Sequence, residues 1–179
     1  MELLETLNFL IALGAVGMQI LSVALIVVFF NRERAWAKPI AKIVSSKGLW
    51  ISLLVTTLGT ILSLVYSEYL GILPCGLCWL QRVFLYPQVV LFALASLKKD
   101  HYIADYAIVL SFLGGIVALY QHYLQMGGTD VIPCPATGAG DCAKRFLFEF
   151  DYMTFPLVAF SSFALIFIIM LFVREQSKT

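Results

Sequence analysis

The chain has 179 residues, of which 61% are hydrophobic and 13% charged, and its formal net charge is +1. A mean hydropathy of +0.91 excludes an ordinary soluble domain and predicts a membrane protein. The near-zero net charge gives no sign of a nucleic-acid-binding surface, so nucleic acid is not an expected partner.

Five apolar stretches are long enough to cross a membrane as helices. About twenty apolar residues span a hydrocarbon core of about 30 Å, and in lipid a helix satisfies its own backbone hydrogen bonds. The predicted spans run from Leu7 to Phe30, Leu49 to Ile72, Trp79 to Leu97, Ile103 to Met126 and Phe155 to Val173. The sequence therefore predicts an all-α integral membrane protein with five spans.

The first span is predicted to be a transmembrane helix and not a signal peptide. Residues 35–37 look like a small-residue cleavage site. However, Glu2 and Glu5 precede the span where a signal peptide has basic residues, and the apolar run is too long. Arg32 and Arg34 then follow it like a stop-transfer signal.

Basic residues predict the orientation of the spans. The loop at residues 31–48 holds five of them, which by the positive-inside rule places it in the cytoplasm. By alternation, the N-terminus is outside and the C-terminus is cytoplasmic. Both cysteine pairs, Cys75 with Cys78 and Cys134 with Cys142, then face the non-cytoplasmic side, where disulfides form and persist.

Two stretches beside the spans have open assignments. Residues 35–48 fit either a short interfacial helix or a solvated basic loop. Residues 143–152 fit a segment along the outer membrane surface, although their phenylalanines also follow a strand's period of two. Within the spans, small and polar residues are predicted to be packing contacts; they are Thr56, Thr60, Ser63, Ser67, Gly114 and Gly115.

Cys75 and Cys78 form a C-x-x-C motif directly before the third span. A helix N-terminus carries positive partial charge and favours a thiolate, the form of cysteine that exchanges disulfides. Arg82 lies four residues after Cys78, on the same helical face, where it can stabilise that thiolate or donate to a ligand oxygen. Alternatively, Arg82 extends to lipid headgroups or pairs with Glu68.

His122 is a second candidate site residue, because an ionisable group within a membrane span suggests a function. The fourth span places it near its outer end, at about the depth of Arg82. The alternative is that His122 only hydrogen-bonds a neighbour or a headgroup.

Cys134 and Cys142 bracket a turn-forming insert at residues 135–141, whose ends can meet at modest entropic cost. Four cysteines permit three pairings, and the local one, Cys75 with Cys78 and Cys134 with Cys142, is the predicted resting state. A relay also needs one loop cysteine to reach the C-x-x-C. Two purely structural disulfides are the alternative, and no metal site is predicted because histidine ligands at zinc-finger spacing are absent.

Four features of the sequence occur together: the motif P-C-G-L-C-W-L-Q-R at residues 74–82, Y-P at 86–87, Y-Q-H-Y at 120–123 and a later cysteine pair. In these features the sequence resembles the DsbB/BdbC family of bacterial disulfide-bond formation proteins. The resemblance covers about residues 49–173. It implies a four-helix bundle in the bacterial cytoplasmic (inner) membrane. Residues 1–48 are then an extra N-terminal transmembrane helix with a basic loop, and residues 49–179 are the family domain.

The resemblance also implies an activity, a partner and a cofactor. The enzyme would reoxidise a thioredoxin-fold, DsbA-like dithiol oxidase and pass two electrons to a membrane quinone, either ubiquinone or menaquinone. The implied roles are mixed-disulfide formation with the partner for Cys134, attack toward Cys75 for Cys142, and contact with the quinone for Cys78, Arg82 and His122.

Two features depart from the family pattern, namely the extra first span and the short spacing between Cys134 and Cys142. The second leaves the order of thiol exchange in the loop open. A vitamin K epoxide reductase-like protein is the nearest rival, but there the loop pair precedes the C-x-x-C. The other rival is a non-catalytic membrane protein with two structural disulfides.

Overall fold

The computed structural model describes residues 2–129, 134 and 142–176. Within these residues, five helices are long and apolar enough to cross a membrane, which confirms the predicted number of spans. The helices are α1 (Glu2–Phe30), α2 (Lys38–Leu64), α3 (Gly76–Lys98), α4 (Ile103–Gln125) and α5 (Phe155–Gln176). The chain is an all-α, multi-pass membrane protein.

Helix α2 begins at Lys38, well before the predicted start of the second span at Leu49. Pro39 lies in its first turn, where the missing N–H costs no hydrogen bond, and Val44 packs into the core. The helix continues beyond Leu64 as a π-helical turn, Val65–Tyr69. Residues 38–48 are therefore neither a loop nor a separate interfacial helix, and the predicted domain boundary after residue 48 falls within α2.

Helix α5 is the most buried of the five: 67% of its most apolar stretch is buried inside the protein, compared with 22% to 33% for the other helices. It packs against α4, α2 and α1. Gly114 of α4 permits the close approach, because a Cβ there would lie 2.5 Å from the ring of Phe163. This agrees with the predicted packing role of Gly114.

Helix α1 packs along α5 and hardly touches α2. Its buried positions include the small residues Ala12, Ala15 and Ser22, which let two membrane helices approach closely. Midway along, Gln19 donates a hydrogen bond to the hydroxyl of Ser161 on α5 at 3.0 Å. A gap therefore remains between α1 and α2.

A short hairpin precedes α5. Strand β1 (Phe148–Glu149) pairs antiparallel with β2 (Met153–Thr154). Buried Leu147 and Met153 pack against Ala12 of α1. Of the 143–152 stretch, Phe148 and Glu149 therefore lie in a strand, while the other residues of that stretch do not.

Ion pairs mark the end of the bundle opposite to this hairpin. Arg32, which follows α1, lies 3.1 Å from Glu175, and Arg174 lies 2.9 Å from Asp105 at the start of α4. The C-terminal end of α1 is thereby connected to the C-terminal end of α5.

Candidate functional site

The two cysteines of the C-x-x-C lie at the start of α3. Cys75 is the N-cap residue, and its sulfur accepts a hydrogen bond from the backbone N–H of Cys78 at 3.3 Å. The two sulfurs are free thiols 2.9 Å apart. The side-chain hydrogen bond between the two sulfurs, followed by burial, raises the pKa of the Cys75 thiol above its ordinary value. The raised pKa favours the protonated form of Cys75.

A buried glutamine from α4 contacts both sulfurs. Gln121 donates from Nε2 to Cys75 Sγ at 3.1 Å and to Cys78 Sγ at 3.2 Å. Its Oε1 accepts a hydrogen bond from Gln81 Nε2 at 2.6 Å, which fixes the orientation of the amide. Hydrogen bonds to an ionised group are stronger than neutral ones, so this donor favours negative charge on the sulfurs.

The loop pair, Cys134 and Cys142, forms a disulfide, which confirms one half of the predicted resting state. The other half, a disulfide between Cys75 and Cys78, is not formed, because both are free thiols in this structure. Cys142 is 1% exposed and lies in one apolar cluster with Cys75, Leu77 and Leu124, while half-buried Cys134 packs against the same cluster. The structure therefore brings the two pairs together at one end of the bundle. The predicted insert at residues 135–141 lies outside the described residues.

Gln125, one turn beyond Gln121 on α4, binds the segment that follows the loop disulfide. Its Nε2 donates to the carbonyl of Lys144 at 3.0 Å and to that of Cys142 at 3.5 Å. In return, Arg145 Nε donates to the carbonyl of Gln125. The last turns of α4 thus contact both cysteine pairs, one through each glutamine.

Arg82 is 8% exposed and is oriented by α2. Its Nε donates to Ser63 Oγ at 3.0 Å and its Nη2 to the Ser63 carbonyl at 2.9 Å. Its guanidinium lies 5.0 Å from the ring of Trp79 and 5.9 Å from that of Tyr86. These contacts favour a cation, and none of them is made with a carboxylate.

The predicted alternative, a pair between Arg82 and Glu68, is not formed. Glu68 instead accepts a hydrogen bond from Ser67. Across residues 2–129, 134 and 142–176, no carboxylate lies within 4.0 Å of the Arg82 guanidinium. Over the same ranges, its Nη1 forms no hydrogen bond. Nη1 is therefore available to donate to a ligand, and the predicted cofactor contact of Arg82 stays a prediction.

An elongated cavity of about 610 Å³ adjoins these residues. Most of its lining is apolar and comes from α1, α2 and α5. At one end the lining is polar and consists of Ser63, Cys75, Cys78, Gln81, Arg82, Gln121, Gln125 and Lys144. The volume is that of a typical small-molecule site, and the shape suits an apolar molecule whose polar end accepts hydrogen bonds.

His122 has a different neighbour. Its Nδ1 is 2.8 Å from Thr154 Oγ1, which also accepts a hydrogen bond from the Leu157 N–H in the first turn of α5. His122 does not line the cavity that contains Arg82. The structure therefore brings the four cysteines and Arg82 to one end, while the cofactor contact of His122 stays a prediction.

Sequence reasoning missed the residues that surround the sulfurs and Arg82. Ser63 was assigned to packing, and Gln81, Gln121 and Gln125 were given no role. The signal was present, because an amide within a membrane span is costly unless it is hydrogen-bonded. Gln81 also lies one turn from Cys78, and Gln121 and Gln125 share one helical face.

Comparison with known proteins identifies relatives for most of the chain. The family described as "Disulfide bond formation protein DsbB" matches residues 46–173. The chain is 39% identical over 120 residues to "SPbeta prophage-derived disulfide bond formation protein B" of Bacillus subtilis, covering 67% of this chain and 80% of the relative.

Two further relatives come from other bacteria. The chain is 35% identical over 130 residues to "Probable disulfide formation protein C" of Halalkalibacterium halodurans, covering 72% of this chain and 93% of the relative. It is 31% identical over 134 residues to "Probable disulfide formation protein" of Chlamydia caviae, covering 74% and 96%. No solved structure matches the chain.

Proposed function

Because the chain belongs to the DsbB family of disulfide bond formation proteins, we propose that it is a dithiol:quinone oxidoreductase. It reoxidises a thioredoxin-fold, DsbA-like dithiol oxidase and passes two electrons to a membrane quinone. The observation that carries this proposal is the position of the two cysteine pairs. Cys75 packs with the loop disulfide, and its neighbour Cys78 lines an apolar cavity together with Arg82.

Electrons enter at the loop disulfide. Cys134 is half-buried whereas Cys142 is 1% exposed, so a partner thiolate reaches the Cys134 sulfur more easily. Attack there forms a mixed disulfide and releases Cys142 as a thiolate. The second partner thiol then displaces Cys134, which leaves the partner oxidised by two electrons and the loop as a dithiol.

The loop dithiol next reduces the C-x-x-C disulfide. Cys142 attacks the Cys75 sulfur, and the Cys75–Cys78 bond breaks with Cys78 as the leaving thiolate, which the Gln121 amide stabilises. Cys134 then attacks Cys142 and releases Cys75. The products are a loop disulfide and two adjacent thiols in the C-x-x-C, which is the arrangement found in the structure.

The cavity fits a quinone. When bound, a quinone accepts two electrons and two protons from a dithiol, which restores the C-x-x-C disulfide. Arg82 has Nη1 available to donate to an oxygen acceptor at the polar end, and the Cys75 and Cys78 sulfurs lie 2.9 Å apart beside it. The apolar remainder of the lining suits a hydrocarbon tail. Ubiquinone and menaquinone share these features.

The site also has a proposed location. We infer that the protein lies in the bacterial cytoplasmic membrane with both cysteine pairs on the extracytoplasmic side. The order of the pairs along the chain, with the C-x-x-C first, argues against the vitamin K epoxide reductase-like alternative.

The test is an anaerobic assay with the purified full-length protein, a reduced thioredoxin-fold dithiol oxidase and an oxidised quinone. Quinone absorbance is followed together with the loss of partner thiols. One quinone should be reduced per partner oxidised, and Cys78→Ser should abolish quinone reduction without unfolding the helices. Arg82→Ala should raise the KM for quinone about tenfold or more while partner thiol exchange persists.

Retained quinone reduction in Cys78→Ser would assign the chemistry to other residues. If wild-type protein reduced no quinone with any oxidase while both disulfides persisted, the two bridges would be structural. Circular dichroism of each variant checks that the helices are intact.

A further inference from the structure

Helix α1 lies outside residues 46–173, the part of the chain that matches the family, yet it lines the cavity. Its lining residues recur every three to four positions, so they form one helical face; they are Leu7, Leu10, Ile11, Gly14 and Met18. The same cavity reaches Cys78 and Arg82. A helix additional to the family domain is therefore part of the wall around the redox site.

Hydrogen bonds hold this wall in place at the polar end. The hydroxyl of Tyr66, just beyond α2, donates to Asn8 Oδ1 at 2.6 Å, and Asn8 Nδ2 donates to the carbonyl of Phe146 at 3.3 Å. Asn8 and Tyr66 are both buried. Deeper in the bundle, Gln19 donates to Ser161 of α5. Helix α1 is thus anchored on both sides of the cavity.

The facing wall is formed by α2, which hardly touches α1. Its lining residues include Leu54, Leu58 and Leu62, and the row ends at Ser63, the residue that orients Arg82. At 1.5 Å per residue, Leu54 lies about 14 Å along the helix from Ser63. Leucines of α1 and α2 thus border the apolar part of the cavity, here called the trough, which leads away from the Arg82 guanidinium.

We propose that α1 forms one wall of the quinone site and contacts the apolar tail of the quinone, with the ring at the Arg82 end. This inference rests on the proposed function. It commits to an amphipathic occupant, since a polar end with an available donor on Arg82 continues into a mostly apolar trough. The first helix is then a ligand-binding element and not only an additional membrane anchor.

Two glycines of α1 provide a matched test. A Cβ at Gly14 or at Gly17 meets no atom within 4 Å, so a side chain can start at either position without a clash, but only Gly14 lines the cavity. Gly14→Leu should place its side chain in the trough and weaken quinone binding about tenfold, because it displaces apolar tail contacts. Gly17→Leu should bind quinone within about twofold of wild type.

Binding is measured apart from turnover, by quenching of tryptophan fluorescence on titration with a long-tailed isoprenoid quinone and with a tailless ring analogue. The Gly14→Leu effect should be larger for the long-tailed quinone. Partner thiol exchange at the loop disulfide should be the same in both variants. Leu10→Ala, with Leu13→Ala as its non-lining control, repeats the test by removing a contact instead of adding one.

The outcomes separate this inference from the proposed function. If wild-type protein reduces quinone but Gly14→Leu and Gly17→Leu bind it equally, and Leu10→Ala matches Leu13→Ala, α1 is not a wall of the site. If wild-type protein neither binds nor reduces quinone, the proposed function itself is wrong.

Discussion

At the scale of single residues, the site is a set of polar side chains that pair with each other inside an apolar bundle. Gln81 donates to Gln121, Gln121 donates to both sulfurs, and Ser63 accepts from Arg82. Each group would be costly in a membrane span without its partner. Two types of hydrogen-bond donor therefore lie at the cavity: the Gln121 amide, which contacts the two thiols, and the Arg82 guanidinium one helix turn deeper.

Replacing Gln121 by leucine should slow the transfer of electrons out of the C-x-x-C. The variant removes the donor from both sulfurs, and a hydrogen bond to a charged group contributes about 1.5–3 kcal/mol, so the rate should fall roughly tenfold or more. The measurement is the anaerobic rate of quinone reduction together with the pH dependence of Cys78 alkylation. Alkylation at a given pH should become slower, because the thiolate loses its donor.

Gln88→Leu is the matched control for this variant. Gln88 is also fully buried between α3 and α4, where it accepts from Ser111 and donates to the carbonyl of Phe84, away from the cysteines. The Gln88→Leu variant should be less stable than wild type, but the pH dependence of its Cys78 alkylation should be unchanged. Equal profiles for the two variants would show that Gln121 has only a packing role.

At the scale of elements, the start of α5 depends on one hydroxyl. Thr154 ends β2, accepts from the Leu157 N–H and pairs with His122 of α4, so it connects the hairpin, α4 and α5. This helix start also stabilises the core, because α5 is the most buried helix. The predicted membrane-span residue His122 is thus a contact between elements in the structure.

Thr154→Val should destabilise the protein by about 1 kcal/mol from the lost N-cap, and more if the His122 ring nitrogen finds no other partner. Thermal unfolding in detergent measures the change. Thr60→Val is the control, because Thr60 Oγ1 is buried and has no hydrogen-bond partner among the described residues. Equal unfolding temperatures for the two variants would contradict the capping role.

At the scale of the whole molecule, the two ends of the bundle differ in chemistry. One end holds both cysteine pairs, the hairpin and the hydrogen bond between Tyr66, just beyond α2, and Asn8 of α1. The other holds the ion pairs of Arg32 with Glu175 and of Arg174 with Asp105. The predicted topology, which places this second end in the cytoplasm, rests on the positive-inside rule and stays a prediction.

Single cysteines in a background with all four native cysteines replaced by serine test that topology. Tyr69→Cys lies at the cysteine end and is 80% exposed as tyrosine, while the Glu33 side chain at the opposite end is 88% exposed. A membrane-impermeant thiol reagent should label Tyr69→Cys in intact cells and Glu33→Cys only after lysis. The reverse pattern would invert the predicted orientation.

Several features could be predicted from the sequence because they depend on local rules. Membrane thickness sets the length of a span, so the number of helices and the end of α1 at Phe30 were predicted correctly. The short loop between Cys134 and Cys142 favoured their pairing. The start of α2 was placed wrongly, because a basic helix turn with Pro39 looks like a loop when its packing partners are unknown.

The spacing of apolar residues and cysteines along the chain was sufficient for five spans, a C-x-x-C at a helix start and Arg82 one turn deeper. Contacts between distant segments required the folded molecule: Ser63 on Arg82, Gln121 on both sulfurs, and His122 turned toward Thr154. The gap between α1 and α2 likewise could be seen only in the folded molecule. The spacing and hydropathy of apolar residues describe one helix at a time, whereas the shape of a cavity depends on how several helices pack. Here the cavity exists because α1 packs on α5 instead of α2.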